Sequence, residues 1–235
     1  MTNAICAILL DLDGTLVDSA PELTRAVNGA LETRGRRTLE ENEVRDMIGN
    51  GLPVLTERAL AATGKVPPES ELASIIAEVR RIYDTQPPPR IFPGVAETLR
   101  HWHAAGLSLV VCTNKPEASA RRLMAALGLD RFISVIAGGD TYPRRKPHPD
   151  HLLKPLADLG LSRDTAVMVG DSQIDADAAR SAAIPFIAVS YGYRRGPVDG
   201  LGAACVVDRF AEVDAAIAQF ARDRALAFPP SGSAV

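Results

Sequence analysis

The sequence predicts an α/β protein: a doubly wound parallel-sheet (Rossmann-like) core with a small inserted α-helical domain. Two observations predict this. Strand-length apolar runs alternate with helix-like segments through the second half of the chain, as in a parallel sheet covered on both faces. The first apolar run, however, is followed by an interval of about 75 residues, 16–90, with helix signals and no strand signal, before the next βα unit.

The predicted strands are Ile5–Leu10, Leu107–Cys112, Phe132–Ala137, Ala166–Val169 and Phe186–Val189. Each is a short run rich in Val, Ile and Leu, of buried-strand length. Helices are predicted over Val95–Ala105, Pro116–Leu127, His148–Leu159 and Ile174–Ala183. The insert should hold helices at Pro21–Thr33, Glu40–Met47, Leu52–Ala62 and Glu69–Asp84. Leu16–Ser19 reads as its outgoing linker and the proline-rich "QPPPRIFPG" (86–94) as a stiff return. The expected division is therefore a discontinuous core, 1–15 and 91–235, and a helical domain with linkers, 16–90. "FPPSGSAV" (228–235) has little to bury and reads as a frayed tail.

At 235 residues, 46% apolar and 23% charged, the chain suits one sizeable core plus a small accessory domain. A net charge of −3 provides no basic field for nucleic acid and no polybasic arm for anionic lipid. Small molecules are the expected partners, and oligomeric state is left open. Cys6, Cys112 and Cys205 are few, odd in number and widely spaced, which reads as reduced core thiols and a cytoplasmic location. "MTNAICAILLDLD" lacks a positive leader and soon reaches acidic residues, so neither a signal peptide nor a membrane span is expected there.

Chemistry-bearing residues gather where strands end, the edge at which open α/β sheets bind ligands. In "LLDLDGTLVD" the alternation of a strand points Asp11 and Asp13 the same way and turns Leu12 into packing. Two carboxylates facing one space call for a cation, or for one held protonated; alternatively they satisfy turn amides. "VMVGDSQIDADAAR" repeats the design with Asp171 and Asp175. Asp171 or Ser172 could cap the next helix, but three such carboxylates form an oxygen-ligand set suited to Mg²⁺. "LVVCTNKPE" places Thr113 and Asn114 at a helix start, where amides favour an anion or the side chains serve as N-caps. Lys146 in "RRKPHPD" offers a loop ammonium, which taken alone is surface.

Neither GxxxxGK[ST] nor a GxGxxG after a strand occurs, so phosphate would be gripped by scattered strand ends. Taken in order, "DLDGT", "TN", the loop lysine and "GDSQID" resemble the four motifs of the haloacid dehalogenase superfamily of aspartate-nucleophile phosphatases. "MIGNGLPVLTERAL", "TNKP", "GGD", "KPHPD" and "YGYRRG" are similar to segments of its phosphoglycolate phosphatase group. The resemblance implies a helical cap at 16–90 and hydrolysis of a small phosphomonoester, foremost 2-phosphoglycolate. It implies Asp11 as nucleophile and Asp13 as general acid and base, its pKa raised by the acidic neighbour. Mg²⁺ would be held by Asp11, the Asp13 carbonyl and Asp171, with Asp175 orienting a water. Thr113, Asn114 and Lys146 would hold phosphate oxygens.

Specificity should then lie in the cap. "IGNG" (48–51) around Asn50 is either an amide-presenting helix break or an interhelix turn, and Arg45 or Arg58 could meet a substrate carboxylate. A β-phosphoglucomutase-like phosphotransferase and a capped phosphatase for another metabolite share this plan. A receiver module would need about half the chain and no insert, and a dehalogenase would lack Asp13. A phosphonate hydrolase would need a Schiff-base lysine, and Lys65, the insert's only lysine, sits in a loop-like setting. His148 and His151 read as helix-start surface rather than a metal pair. Tyr191 or Arg194 could border the site, and Trp102 reads as packing.

Overall fold

A computed structural model describes residues 4–193 and 196–227, with side chains to residue 220. Arg194 and the expected tail, 228–235, lie outside the described residues. Along the chain run β1 (Ala7–Leu10), β2 (Val17–Asp18), α1 (Ala20–Glu32), α2 (Glu41–Arg45), α3 (Leu52–Thr63), α4 (Glu69–Asp84) and β3 (Arg90–Ile91). There follow α5 (Val95–Ala104), β4 (Ser108–Cys112), α6 (Glu117–Ala126), β5 (Val135–Ala137), α7 (Asp150–Asp158) and β6 (Ala166–Gly170). The last elements are α8 (Gln173–Ala182), β7 (Phe186–Val189), β8 (Cys205–Val207) and α9 (Val213–Ala227).

Six strands form one sheet in the order β5-β4-β1-β6-β7-β8, and every pairing is parallel. The two-residue period of β1 divides its side chains between the faces. Ile8 and Leu10 join the apolar core with Trp102 and Phe210, and Ala7 and Leu9 join the one with Leu152 and Met168. The chain first builds outward through β4 and β5, then returns to the other side of β1 for β6. The topological switch therefore lies beside β1, and the carboxyl end of β1 opens into the crevice that suits a ligand.

Helices α1 to α4 pack around a third core. Leu23, Val27 and Leu31 recur every four residues on α1 and meet Leu55 and Leu60 of α3 and Ile75 and Val79 of α4, as an amphipathic stripe requires. The segments expected as linkers are hydrogen-bonded to each other instead. β2 and β3 form an antiparallel ribbon, Val17 opposite Ile91 and Asp18 opposite Arg90, extended by the Phe92 amide donating to Leu16 O at 3.0 Å.

Other expectations shift. The strand expected from Phe132 begins only at Val135, because Asp130–Phe132 forms a 3-10 turn that buries Phe132. The edge strand β8 was not expected: it is three residues long and leaves Val206 exposed, too brief for a periodic signal. Cys112 is buried, whereas Cys6 and Cys205 are half-buried, and all three are free thiols. His151 is not surface but fully buried against the Tyr142 ring. Trp102 does pack in the core, its indole N–H donating to Asp214 at 3.0 Å. Among the described residues no helix is long and apolar enough to cross a membrane.

Candidate active site

The turn after β1 builds the first part of the site. The Asp11 amide donates to Val169 O of β6 at 3.0 Å, tying the turn to the strand that carries Asp171. The Thr15, Leu16 and Val17 amides all donate to Leu12 O, so the chain reverses tightly. Gly14 permits this with φ of 95°, where a side chain would be strained. A Cβ there would also lie 2.6 Å from Asp171 Oδ2.

Asp11, Asp171 and Asp175 are buried, with one carboxylate oxygen of each lying within 4.8 Å of the others. The Lys146 ammonium lies 2.6 Å from Asp11 Oδ1 and 2.6 Å from Asp175 Oδ1; it is buried rather than solvated. Asp171 has neutral donors instead: the Thr15 hydroxyl at 3.1 Å and the Tyr193 amide at 2.6 Å. At that spacing each neighbouring carboxylate repels its charge by about 3 kcal/mol at an effective dielectric constant of about 20. Burial first, then Asp175, push Asp171 up to about 7, against the donors Tyr193 and Thr15. Burial likewise holds Asp11 well above the carboxylate range, Lys146 pulling it down and Asp175 and Asp171 pushing it up. Burial disfavours the Lys146 ammonium, but Asp11 and Asp175 outweigh it and hold it charged.

This arrangement suits a divalent cation. Once ionised, three carboxylates and one ammonium leave an excess of two negative charges in a buried space, and all the donors are hard oxygens. Ser172, not Asp171, caps α8: its hydroxyl accepts from the Asp175 amide. The Ser172 amide and hydroxyl in turn donate to Asp175 Oδ2 at 3.1 and 2.6 Å, so Asp175 is fixed at both oxygens.

Asp13 faces the same cavity as Asp11 but belongs to a different charge pair. Both its oxygens lie 3.0 Å from the Lys115 ammonium, and Oδ1 accepts the Ser19 hydroxyl at 2.6 Å. The expectation of an acidic partner for Asp13 is thus corrected: the contacts of its carboxylate are a cation and a hydroxyl. Ser19 starts α1 without capping it.

Thr113 and Asn114 follow β4 and line the same cavity, and neither caps α6, whose N-cap is Pro116. The Thr113 hydroxyl accepts the Lys115 amide at 3.2 Å. The Asn114 side chain donates to Gly49 O at 3.0 Å and Lys146 O at 3.1 Å, linking the helical unit, β4 and the lysine loop.

The cavity, about 780 Å³ of atom-free space including open solvent at its mouth, lies between this sheet edge and the helical unit, which contributes Ile48, Gly49, Gly51, Leu52, Arg80 and Tyr83 among others. Asn50, Arg45 and Arg58 are not among its lining residues. Arg45 pairs with Asp18 at 3.4 Å and Glu41 at 2.9 Å and stacks over the Tyr193 ring. Arg58 donates to Met47 O at 3.0 Å. Of the IGNG segment, Ile48 and the two glycines reach the cavity and Asn50 does not. His148 and His151 form no ligand group: His148 meets Arg144, and the acidic trio is the one metal-suited cluster among the described residues.

Sequence reasoning missed Lys115, Ser19, Tyr193, Arg80 and Tyr83. Tyr193 ties three parts together: its amide holds Asp171, its hydroxyl donates to Asp18 at 2.6 Å and accepts from the Ala20 amide at 3.0 Å. Tyr191, weighed as a site border, instead donates to Thr15 O at 2.8 Å behind the turn. Lys115 stood in the quoted TNKP run, but its partner lies 102 residues away in sequence.

Residues 8–189 match the haloacid dehalogenase-like hydrolase family, and the chain belongs to that family. Within it the likeness runs to proteins named phosphoglycolate phosphatase. That of Rhodospirillum rubrum is 41% identical over 213 residues, covering 88% of each chain. That of Yersinia pestis is 39% identical over 222 residues, covering 92% of this chain and 94% of its own. A crystal structure described as a predicted phosphoglycolate phosphatase from Haemophilus somnus superposes with a TM-score of 0.85 at 33% identity, covering 90% of this chain and 97% of its own. CbbY from Rhodobacter sphaeroides, solved with phosphate, gives 0.77 at 26% identity, covering 91% and 99%.

Proposed function

We propose that this enzyme hydrolyses 2-phosphoglycolate to glycolate and phosphate, with residues 16–90 as a cap over the site. The observation that carries the reading is the presence, in one cavity, of two carboxylates in opposite settings. Asp11 sits in a buried acidic trio beside Lys146, and Asp13 is held apart on Lys115. Chemistry that needs a nucleophile and a separate proton carrier requires that division.

In the proposed reaction an Asp11 oxygen attacks phosphorus as the bond to the leaving oxygen breaks, giving an aspartyl-phosphate. Asp13 delivers its proton to the departing alkoxide, releasing glycolate. Asp13 then takes a proton from water, whose oxygen attacks the same phosphorus and frees phosphate and the Asp11 carboxylate. Thr113, Asn114 and Lys146 hold the phosphoryl oxygens as charge moves. Asp11, Asp171 and the Asp13 carbonyl are the proposed Mg²⁺ ligands, with Asp175 a positioning residue. When bound, the ion supplies the positive charge that lets an anionic carboxylate approach an anionic phosphate.

Phosphate release measured over phosphoglycolate, sugar phosphates and nucleotides, with Mg²⁺ and with chelator, tests the reading. A preference for phosphoglycolate that chelator abolishes is expected; equal rates on all substrates would remove the substrate assignment. Sugar bisphosphates belong in the screen, because CbbY, 26% identical, was also solved, as a mutant, with xylulose-1,5-bisphosphate. β-Glucose 1-phosphate, scored for isomerisation rather than phosphate release, covers the phosphotransferase alternative.

A further inference from the structure

We infer that Lys115 recognises the substrate carboxylate and so sets the preference for an acidic phosphomonoester; the inference rests on the phosphoglycolate reading above. Lys115 follows Thr113 and Asn114 on one turn, so a phosphoryl group held by that pair has this ammonium beside it. The ammonium lies 3.0 Å from both Asp13 oxygens, and both residues line the cavity. Asp13 is the proposed proton donor to the leaving oxygen. In phosphoglycolate a single methylene separates that oxygen from the carboxyl carbon, so a cation touching Asp13 is within reach of the carboxylate. A lysine has three rotatable donors and can serve two carboxylates at once.

The surroundings agree with an anion subsite. The ammonium lies 4.6 Å from the centre of the Tyr83 ring of α4, so it touches both the sheet edge and the helical unit. It is 9% exposed, so water and salt screen its attraction for a second anion little. Arg80, one turn before Tyr83, also lines the cavity but is exposed, where water weakens its pull.

The test compares kcat/KM for phosphoglycolate with that for ethyl phosphate, which carries a methyl group in place of the carboxylate. Wild type, Lys115→Met, Lys115→Arg and Arg80→Gln are assayed with Mg²⁺. Lys115→Met should lower the phosphoglycolate preference about 100-fold, chiefly through KM; Lys115→Arg should restore part of it, and Arg80→Gln should leave it within about threefold. A preference unchanged in Lys115→Met, with both substrates losing equally, would overturn the inference, as would collapse in Arg80→Gln alone. Should Lys115→Met fail to fold, Lys115→Gln is read by the same ratio. A wild type without preference between the substrates would instead refute the phosphoglycolate reading itself.

Discussion

Gly192 lies against Asp171 so closely that a Cβ on it would sit 2.2 Å from the Asp171 Cβ. The contact brings the next amide, that of Tyr193, to 2.6 Å from Asp171 Oδ2. Gly192→Ala should therefore cost about 1–3 kcal/mol by overpacking, lowering the melting temperature by about 2–4 °C per kcal/mol, and weaken Mg²⁺ binding in a titration. Gly200, with nothing within 4 Å of a Cβ, is the control: Gly200→Ala should leave both nearly unchanged.

Asp11→Asn should separate chemistry from folding. The amide cannot form the aspartyl-phosphate, so turnover should fall by about a thousandfold or more. The substitution also removes one charge from the acidic trio, so in chelator the melting temperature should hold or rise. A variant with near-normal turnover would eliminate Asp11 as nucleophile.

Lys146→Met should be costly in a different way. It strips the ammonium from Asp11 and Asp175 together, and an uncompensated buried charge costs about 3–5 kcal/mol. The double variant with Asp11→Asn should recover part of that loss, visible as non-additive unfolding free energies in a denaturant titration.

The effect of Mg²⁺ on stability should depend on pH. Folded Asp171 keeps its proton up to about 7, compared with an ordinary value of 3.8. Its stabilising contribution in chelator is thus full below the lower value and lost as pH rises through the upper one. Burial first, then the Lys146 charge, lower His151 to about 4 from 6.5, so its contribution is full above 6.5 and lost as pH falls through 4. Mg²⁺ opposes only the carboxylate limb, because ligands must be ionised. Melting curves with Mg²⁺ and with chelator should show a gain from the ion that grows between about pH 5 and about pH 8. A gain independent of pH would exclude Asp171 as a ligand.

The acidic edge was legible because two of its three members end recognisable strands, Asp11 after β1 and Asp171 after β6, which parallel pairing brings together, and the third, Asp175, lies in the first turn of the helix that follows. The Asp13–Lys115 pair was not legible, since nothing local in TNKP says which carboxylate its lysine will meet. Arg45 illustrates the opposite error: its charge invited a substrate role, yet Asp18, Glu41 and the Tyr193 ring already engage it. The β2–β3 ribbon was hidden because two residues on each side give no periodicity to detect.

The position of β1 also bears on how the enzyme comes into being. β1 is made before both of its partners: β4 and β6, paired at Ser108 and Ala166 opposite Ala7, follow it by about a hundred and about 160 residues. The proposed nucleophile therefore waits about 160 residues of synthesis for the strand that leads to Asp171, and a chain that stops short of β6 has no assembled acidic trio. Loops closed over such separations form slowly, so the α1–α4 unit, whose contacts are local, has time to collapse first and hold the two ends of its insertion side by side for the sheet to close.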